Sequence, residues 1–565
     1  MPIMPSKTDV APWWRHAVIY QIYIRSFADG NGDGLGDIAG IRSRLPYLAD
    51  LGVDAIWITP WYRSPMADGG YDVADFREIA PEFGTLSEAE RLIEETHKHG
   101  LRIILDIVPN HTSDQHRWFL NALAAEPGSP QRARYWFRPG RGPAGEEPPN
   151  NWLSVFGGPA WTRLHEDNGR PGEWYLHLFA PQQPDLNWTN PEVRAEFEAI
   201  LRFWFDRGID GFRIDVAHGL AKHPLLPDIN VRSAQFPPGL VEAAEMRGEA
   251  VAQHPHWDRE DIHEIFRQWR WMADSYAATP QGARMFVAEA WRIRTGGLAQ
   301  YLRMDELHSA FNFDFLKCPW DADKLRTTID THLAMLAQVG APATWVLSSH
   351  DVTRPVTRYG LSGDWTQLRV GLDAGLVDIE LGSRRARAAA LLMLALPGAA
   401  YLYQGEELGL PEVDDLPTDI LQDPIWERSG HQIRGRDGCR VPLPWSDTLP
   451  ALGFSTRKPW LPQPPQWSTL SVESQTHNLG SMLTLYREAL RLRRTYSAFL
   501  DGHLRWVEAP SRVMAFKRGK DVMCLVNFAT DPTPLPAYDK VLLASGRLDG
   551  HMLPPDTAIW LQCKE

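Results

Sequence analysis

Short runs of apolar residues recur along this chain at strand length, separated by stretches with helical spacing. The runs AVIYQIY (17–23), VDAIWIT (53–59) and RIILDIV (102–108) are apolar almost throughout rather than alternating. A strand of that kind is covered on both faces, and its alternation with helices makes the sheet parallel. Between the runs, Ile38, Ile41, Leu45 and Leu48 mark a helix over 38–49,. A second helix is predicted over 87–99, opened by a capping box from Ser87 to Glu90 and carrying the stripe Ala89, Leu92, Ile93, Thr96,. Further helices are predicted over 191–208, 261–276 and 481–496, and further strands over 211–216, 285–291, 309–315, 344–350 and 399–403,. Eight such strands match a closed α/β barrel of the (β/α)8 type, the TIM barrel,.

Two stretches break the alternation. Residues 110–182 are rich in Pro, Gly, Asn and Trp with no sustained period, and so long an irregular stretch is functional more often than a plain connection,. An inserted subdomain after strand 3 is expected there. Beyond the helix at 481–496, alternating runs over 513–517, 522–528 and 558–562 predict a small C-terminal antiparallel β domain, a β-sandwich over 497–565,. The barrel would then take 1–109 and 183–496.

A formal charge of −13 argues against nucleic acid or an anionic membrane surface as a partner,. No apolar run reaches the roughly 18 residues of a membrane helix. Cys318, Cys439, Cys524 and Cys563 lie far apart in no Cys-x-x-Cys pattern, so a reducing, cytoplasmic setting is expected,. A monomer or homodimer is expected.

Polar residues fall at the C-terminal ends of the predicted strands, where barrel active sites sit. They are Asp106 with Asn110 and His111, Arg213 with Asp215, Glu289, and His350 with Asp351. Alone, Arg213-x-Asp215 is an ordinary ion pair. Three carboxylates from three strands, Asp215, Glu289 and Asp351, converge on one mouth, and paired carboxylates are the equipment of glycoside hydrolysis. The two must differ in proton affinity: Asp215 is expected ionised beside Arg213, and Glu289 protonated in a less polar setting between Ala288, Ala290 and Trp291.

The segments DIVPNH (106–111), GFRIDV (211–216), VAEAW (287–291), SSHD (348–351) and QPDLN (183–187) resemble the signature segments of glycoside hydrolase family 13, the α-amylase superfamily. The resemblance is to its α-glucosidase and oligo-1,6-glucosidase branch, and AVIYQIYIRSF, PPNNWLSVFGG and YLYQGEELG extend it. It implies an exo-acting, retaining α-glucosidase on short α-glucosides. Asp215 would be the nucleophile, Glu289 the general acid and base, and Asp351 the third carboxylate. Asp68, Tyr71, His111, Arg213 and His350 would surround the terminal glucose. Arg440 would pair with Asp68 to close the pocket, with Arg436 a weaker candidate. The loop DGNGDGLGD resembles that branch's structural Ca²⁺ (or Mg²⁺) loop, with Asp29, Asn31, Asp33, Asp37 and the carbonyl of Leu35 as ligands.

The lysine that follows the nucleophile closely in chain-internal amylases is replaced here by Val216-Ala217-His218-Gly219. Val216 resembles α-1,6-active members, although one side chain is worth only about 1–3 kcal/mol of discrimination. Irregular segments after Leu220, Gly360 and Leu410 are expected to shape the acceptor side, where transglucosylation would compete with hydrolysis. Rival expectations are a trehalose synthase-like or sucrose-acting glucosyl-transfer enzyme and, more remotely, a non-catalytic relative.

Overall fold

Eight parallel strands form the central sheet: β1 Val18–Ile22, β2 Ala55–Ile58, β3 Arg102–Ile107, β4 Gly211–Ile214, β5 Met285–Ala288, β6 Ser309–Ala310, β7 Thr344–Val346 and β8 Ala399–Tyr403. The computed structural model describes residues 12–165, 171–229, 254–279, 282–291, 296–361, 377–500 and 502–563. Each strand pairs with its sequence neighbour and β8 pairs with β1. The remaining gap, β6 to β7, is bridged by the Asn312 amide donating to the Thr344 carbonyl at 3.1 Å. The sheet is thereby a closed (β/α)8 barrel.

The strands are apolar throughout because their two faces enter two different cores. Ile19, Ala55, Trp57, Ile104, Met285, Val287, Val346, Ala399 and Tyr401 pack together inside the barrel. Their neighbours Val18, Tyr20, Ile56, Ile58, Ile103, Leu105, Phe212, Ile214 and Phe286 pack outward. Since strand side chains alternate, the inward parity continues through Gln21, Asp106, Arg213, Asp215, Glu289 and His350. Fully buried apolar side chains thus give way to the clustered acids and histidine at the C-terminal rim. The opposite rim carries a different arrangement: Asp210, before β4, takes Arg102 at 2.7 Å and the Ile103 amide at 2.9 Å. Polar residues at that end of a barrel read as stability rather than chemistry.

Three local expectations are corrected. The helix over 38–49 is two helices, Ile38–Ser43 and Leu45–Leu51, because Pro46 starts a new first turn and cannot donate into the old one,. The capping box of helix Leu86–Lys98 is Thr85 with Glu88, two residues before the expected one. The run 309–315 is strand only over Ser309–Ala310. Asn312 caps the short helix Phe313–Lys317 by accepting from the Phe315 amide, which turns the chain away.

Residues 110–182 contribute a three-stranded antiparallel sheet, Phe137–Arg138, Trp161–His165 and Pro171–Leu176. A five-stranded antiparallel sheet follows the last barrel helix, Met482–Thr495, with Val513–Arg518, Val522–Asn527 and Thr557–Gln562 at its centre. It packs on helix Ile379–Ala395, where Trp560 donates to the Leu391 carbonyl at 3.1 Å. Among the described residues no helix is long and apolar enough to cross a membrane.

Candidate active site

Arg213 organises the rim. Its Nη1 donates to Asp106 at 2.6 Å and to Asp215 at 2.7 Å, and its Nη2 sits 2.8 Å from Glu289. The sheet register dictates this meeting, because Asp106 and Val287 are the partners of Arg213 on the two flanking strands. Asp106 also accepts from Tyr71 Oη at 2.9 Å and Trp57 Nε1 at 3.1 Å. Glu289 accepts the Val216 amide at 3.0 Å on Oε2 and the Trp291 indole N–H at 2.5 Å on Oε1. Val216 points its amide there by adopting φ 46°, a left-handed conformation unusual for a β-branched residue,.

Three buried carboxylates thus share one guanidinium. If all were ionised, two negative charges would remain uncompensated by Arg213 in a buried setting, a crowding that raises the proton affinity of Asp106 and Asp215,. Burial raises Asp106 to about 6 despite Arg213. Burial also pushes Asp215 well above the usual carboxylate range; Arg213 opposes this, while Glu289, Asp106 and Asp351 add to it. Glu289 does not lie in the apolar niche expected for it: Arg213, the Val216 amide and the Trp291 indole all donate to it.

Around the other side, His350 accepts or donates at Gln21 (2.6 Å) through Nδ1 and faces Asp351 at 3.3 Å through Nε2. It stacks on Tyr71, ring centroids 5.3 Å apart and 5° from parallel. Burial holds His350 well below the usual histidine value and brings His111 down to about 4, so both are neutral donors or acceptors near pH 7. His111 Nε2 lies 3.0 Å from the Tyr71 carbonyl and 3.1 Å from Gln183, which also donates to Asp68 at 3.1 Å.

The arginine that meets Asp68 is Arg436, at 2.7 Å. Arg440 instead meets Asp351 at 3.1 Å and donates to the His350 carbonyl at 2.9 Å. Arg436 also holds Asp351 at 3.0 Å and is itself fixed by Asp423 at 2.6 Å. The short 3-10 turn Asp437–Cys439 separates the two arginines, so they flank Asp351 and the more distal Asp68 falls to the one anchored by Asp423.

A pocket partly open to solvent joins these groups. Asp68, Tyr71, His111, Asp215, Glu289, His350, Asp351 and Arg436 line it, together with Phe156 and Phe179 from the inserted segment. Val155, Val216, His218, Trp257 and Trp291 form the rest of the wall. Arg213 and Arg440 stand behind it. The segments expected to shape the acceptor side lie partly outside the described residues, over 230–253 and 362–376.

Under this pocket lies a pair that the motif reading passed over. Lys222 Nζ sits 2.6 Å from Asp185 and 2.7 Å from Asn110 Oδ1, all fully buried. Asp185 also caps the Leu178 amide at 2.8 Å. The ammonium thus ties the loop after Asp215 to the loop carrying His111 and to the end of the inserted segment.

The model of the α-amylase catalytic domain matches residues 21–502. The chain belongs to the α-amylase family. It is 36% identical over 542 residues to a probable α-glucosidase of Rhizobium meliloti, covering 92% of this chain and 90% of that one. It is 35% identical over 510 residues to an oligo-1,6-glucosidase of Parageobacillus thermoglucosidasius, covering 87% and 85%. Among solved structures, the α-glucosyl transfer enzyme XgtA superposes with a TM-score of 0.82 at 33% identity, over 98% of this chain and all (100%) of that one. The trehalulose synthase MutB of Pseudomonas mesoacidophila superposes with a TM-score of 0.82 at 30% identity and the same coverage, 98% and 100%.

Acids away from the pocket set the pH response of this family member. Burial raises Glu406 to about 7 and Glu412 to about 8. Glu406 accepts from Tyr486 at 2.7 Å and from Ser348, three residues before Asp351. A carboxyl with a higher value folded than unfolded binds its proton more tightly in the fold, so its stabilisation is lost as pH rises to the folded value. Histidines act oppositely: burial holds His111, His116, His177 and His332 at about 4, so stability is lost as pH falls from 6.5 towards 4,. The melting temperature is expected to peak near pH 6–6.5 and to decline towards pH 8. Calorimetry across that range tests this, and Glu412→Gln should flatten the alkaline side. A melting temperature rising from pH 6.5 to 8 would contradict it.

Proposed function

We propose that this protein is an exo-acting, retaining α-glucosidase that releases α-glucose from the non-reducing end of short α-glucosides such as maltose and isomalto-oligosaccharides. The observation that carries this reading is the grip of one guanidinium on both Asp215 and Glu289, at 2.7 and 2.8 Å. Carboxylates held that way favour the short spacing, about 5–5.5 Å, of a retaining site rather than the wider gap that lodges a water. Asp215 attacks the anomeric carbon while the acid protonates the departing oxygen; Glu289, then ionised, takes a proton from the water that resolves the β-glucosyl-enzyme. Asp351, His350 and His111 bind ring hydroxyls, and Tyr71 offers its ring as a platform. Arg436 with Asp68 and Gln183 closes the far end, which supports cleavage of a terminal residue.

A second reading, glucosyl transfer to a sugar acceptor, is favoured by the similarity to solved transfer enzymes and uses the same intermediate. Incubation with maltose, isomaltose, trehalose and sucrose separates the two: free glucose supports hydrolysis, and isomeric or longer glucosides support transfer. NMR of the first product should show α-glucose. Initial β-glucose would overturn the retaining mechanism.

The reading of loop 29–37 as a structural Ca²⁺ loop rests on its run of hard-oxygen side chains; among the described residues no group of three or more acidic, His or Cys side chains converges on one point there, and Asp29 and Asp37 both accept the Asn31 amide, at 3.1 and 3.0 Å,. Asp37 is raised by burial, with Asp29 adding to the shift, a repulsion that a cation would relieve. Asp29, Asn31, Asp33, Asp37 and the Leu35 carbonyl would hold the ion, which takes no part in the reaction. Saturating Ca²⁺, at about 100 times its Kd, is expected to add about 2.7 kcal/mol of stability. EDTA should therefore lower the melting temperature while leaving kcat at 25 °C unchanged, and Asp33→Asn should abolish that difference. A cytoplasmic location fits the four free cysteines, three of them buried.

A further inference from the structure

The assignment of roles above leaves one contact at the reacting carboxyl without a function. Trp291 follows Glu289 by two residues and donates its indole N–H to Oε1 at 2.5 Å. Its ring lies flat on Phe313, centroids 3.5 Å apart and 6° from parallel, with the Lys317 ammonium 4.6 Å from its centroid. The indole is half-buried and forms part of the pocket wall beside Val216 and Trp257. Phe313 is itself fixed in the first turn of the helix capped by Asn312. The N–H is therefore aimed by a rigid aromatic stack rather than by a flexible side chain.

The other oxygen of the same carboxyl is spoken for. Oε2 takes Arg213 at 2.8 Å and the Val216 amide at 3.0 Å. Neither donor leaves room for a proton on that oxygen. We propose that Trp291 is a positioning residue for the acid/base step: its indole N–H holds Oε1 of Glu289, the oxygen that carries the transferred proton. This rests on Glu289 being the acid/base of the proposed reaction. The protonated Oε1–H can still accept the indole hydrogen through its remaining lone pair.

In the first step the Oε1 proton passes to the glycosidic oxygen as the bond from that oxygen to the anomeric carbon breaks. The bonding pair stays with the departing oxygen, and a carboxylate oxygen of Asp215 bonds to the anomeric carbon. Glu289 is left as a carboxylate, and the indole bond becomes charge-assisted, roughly twice as strong as a neutral one. Stabilisation that grows along the reaction coordinate raises the rate of the chemical step instead of merely tightening binding. In the second step the same oxygen accepts a proton from water as the water oxygen bonds to the anomeric carbon and the bond from that carbon to Asp215 breaks, its pair returning to the carboxylate.

Trp291→Phe keeps the stack on Phe313 and removes only the donor. With maltose or isomaltose, whose leaving sugar needs a proton, kcat/KM is expected to fall about 30-fold, a part of the roughly 10²–10⁴-fold that general acid catalysis supplies. With α-glucosyl fluoride, whose leaving group needs little proton assistance, the loss should stay under about threefold. The basic limb of the kcat/KM profile should move up by about one pH unit, since a lost donor favours the protonated acid. Equal losses on both substrates with an unmoved basic limb would overturn the proposal and leave Trp291 as a wall residue. Phe313→Leu, which keeps the N–H but loosens the ring that aims it, gives a second measure: a smaller loss with the same dependence on leaving group supports the proposal, and a uniform loss overturns it. Glu289→Gln separates this from the underlying assignment. If Glu289→Gln retains disaccharide turnover, the assignment fails; if it loses turnover while Trp291→Phe shows no selectivity, only the positioning role fails.

Discussion

Asp215→Asn is expected to lower kcat on maltose or isomaltose by about 10⁴-fold or more and to raise the melting temperature. The first effect follows from removing the nucleophile of a covalent mechanism, where loss of one member of a catalytic unit costs nearly as much as losing the unit. The second follows from charge. Asp106, Asp215 and Glu289 crowd one guanidinium, and burial with neighbouring carboxylates already pushes Asp215 well up. An amide at 215 keeps the volume and can still accept from Arg213, while one buried negative charge disappears. Stability is thus spent at this site on the chemistry, as is common where activity needs a strained constellation. Steady-state kinetics and a thermal melt on the same preparation check both halves. A variant that lost activity and also melted several degrees lower would contradict the charge account.

Lys222→Met is expected to cost about 3–5 kcal/mol of stability, the usual consequence of stripping one partner from a buried ion pair. The methionine matches the lysine stem in length, so packing changes little and the loss reports the orphaned Asp185. That carboxylate and Asn110 Oδ1 would both lose the ammonium that now sits 2.6 and 2.7 Å away. Asp185→Asn in the same chain should recover part of the stability, because the uncompensated charge is then gone. Urea unfolding of the two variants measures this directly. If Lys222→Met and the double variant were equally stable, the pair would carry no coupling and the account would fail. Activity should fall alongside, since His111 and Asp215 lie on the two loops that the ammonium joins.

Much of this architecture is written in local pattern. The apolar stripe Val193, Phe197, Ile200, Leu201, Trp204, Phe205 predicts the buried face of helix Pro191–Asp206 residue for residue. The acids at 106, 215 and 289 share the inward parity of their strands, a period of two that a short stretch of sequence carries by itself. Where local signals compete, the nearest one misleads. Ser87 with Glu90 looks like a capping box, yet Thr85 with Glu88 forms it, since the extended backbone at Thr85 ends the preceding loop.

Partnerships across the chain are another matter. Asp68 and Arg436 stand 368 positions apart, and the pattern favours Arg440 over Arg436 as the partner. What decides between them is Asp423, which fixes the Arg436 guanidinium at 2.6 Å, together with the turn that sends Arg440 to Asp351. Nothing in the local pattern marks Lys222; only the folded chain brings it to Asp185 and Asn110.

By itself, then, the sequence determined the barrel and the identity of the rim acids. Hydrophobic periodicity and strand parity are properties of neighbouring residues, and the family's segments are short and contiguous. Tertiary structure alone decided which carboxyl is crowded, which arginine closes the pocket and which donors hold Glu289. Those depend on desolvation and on hydrogen bonds between distant segments, and neither exists until the rim is assembled and water is excluded from it.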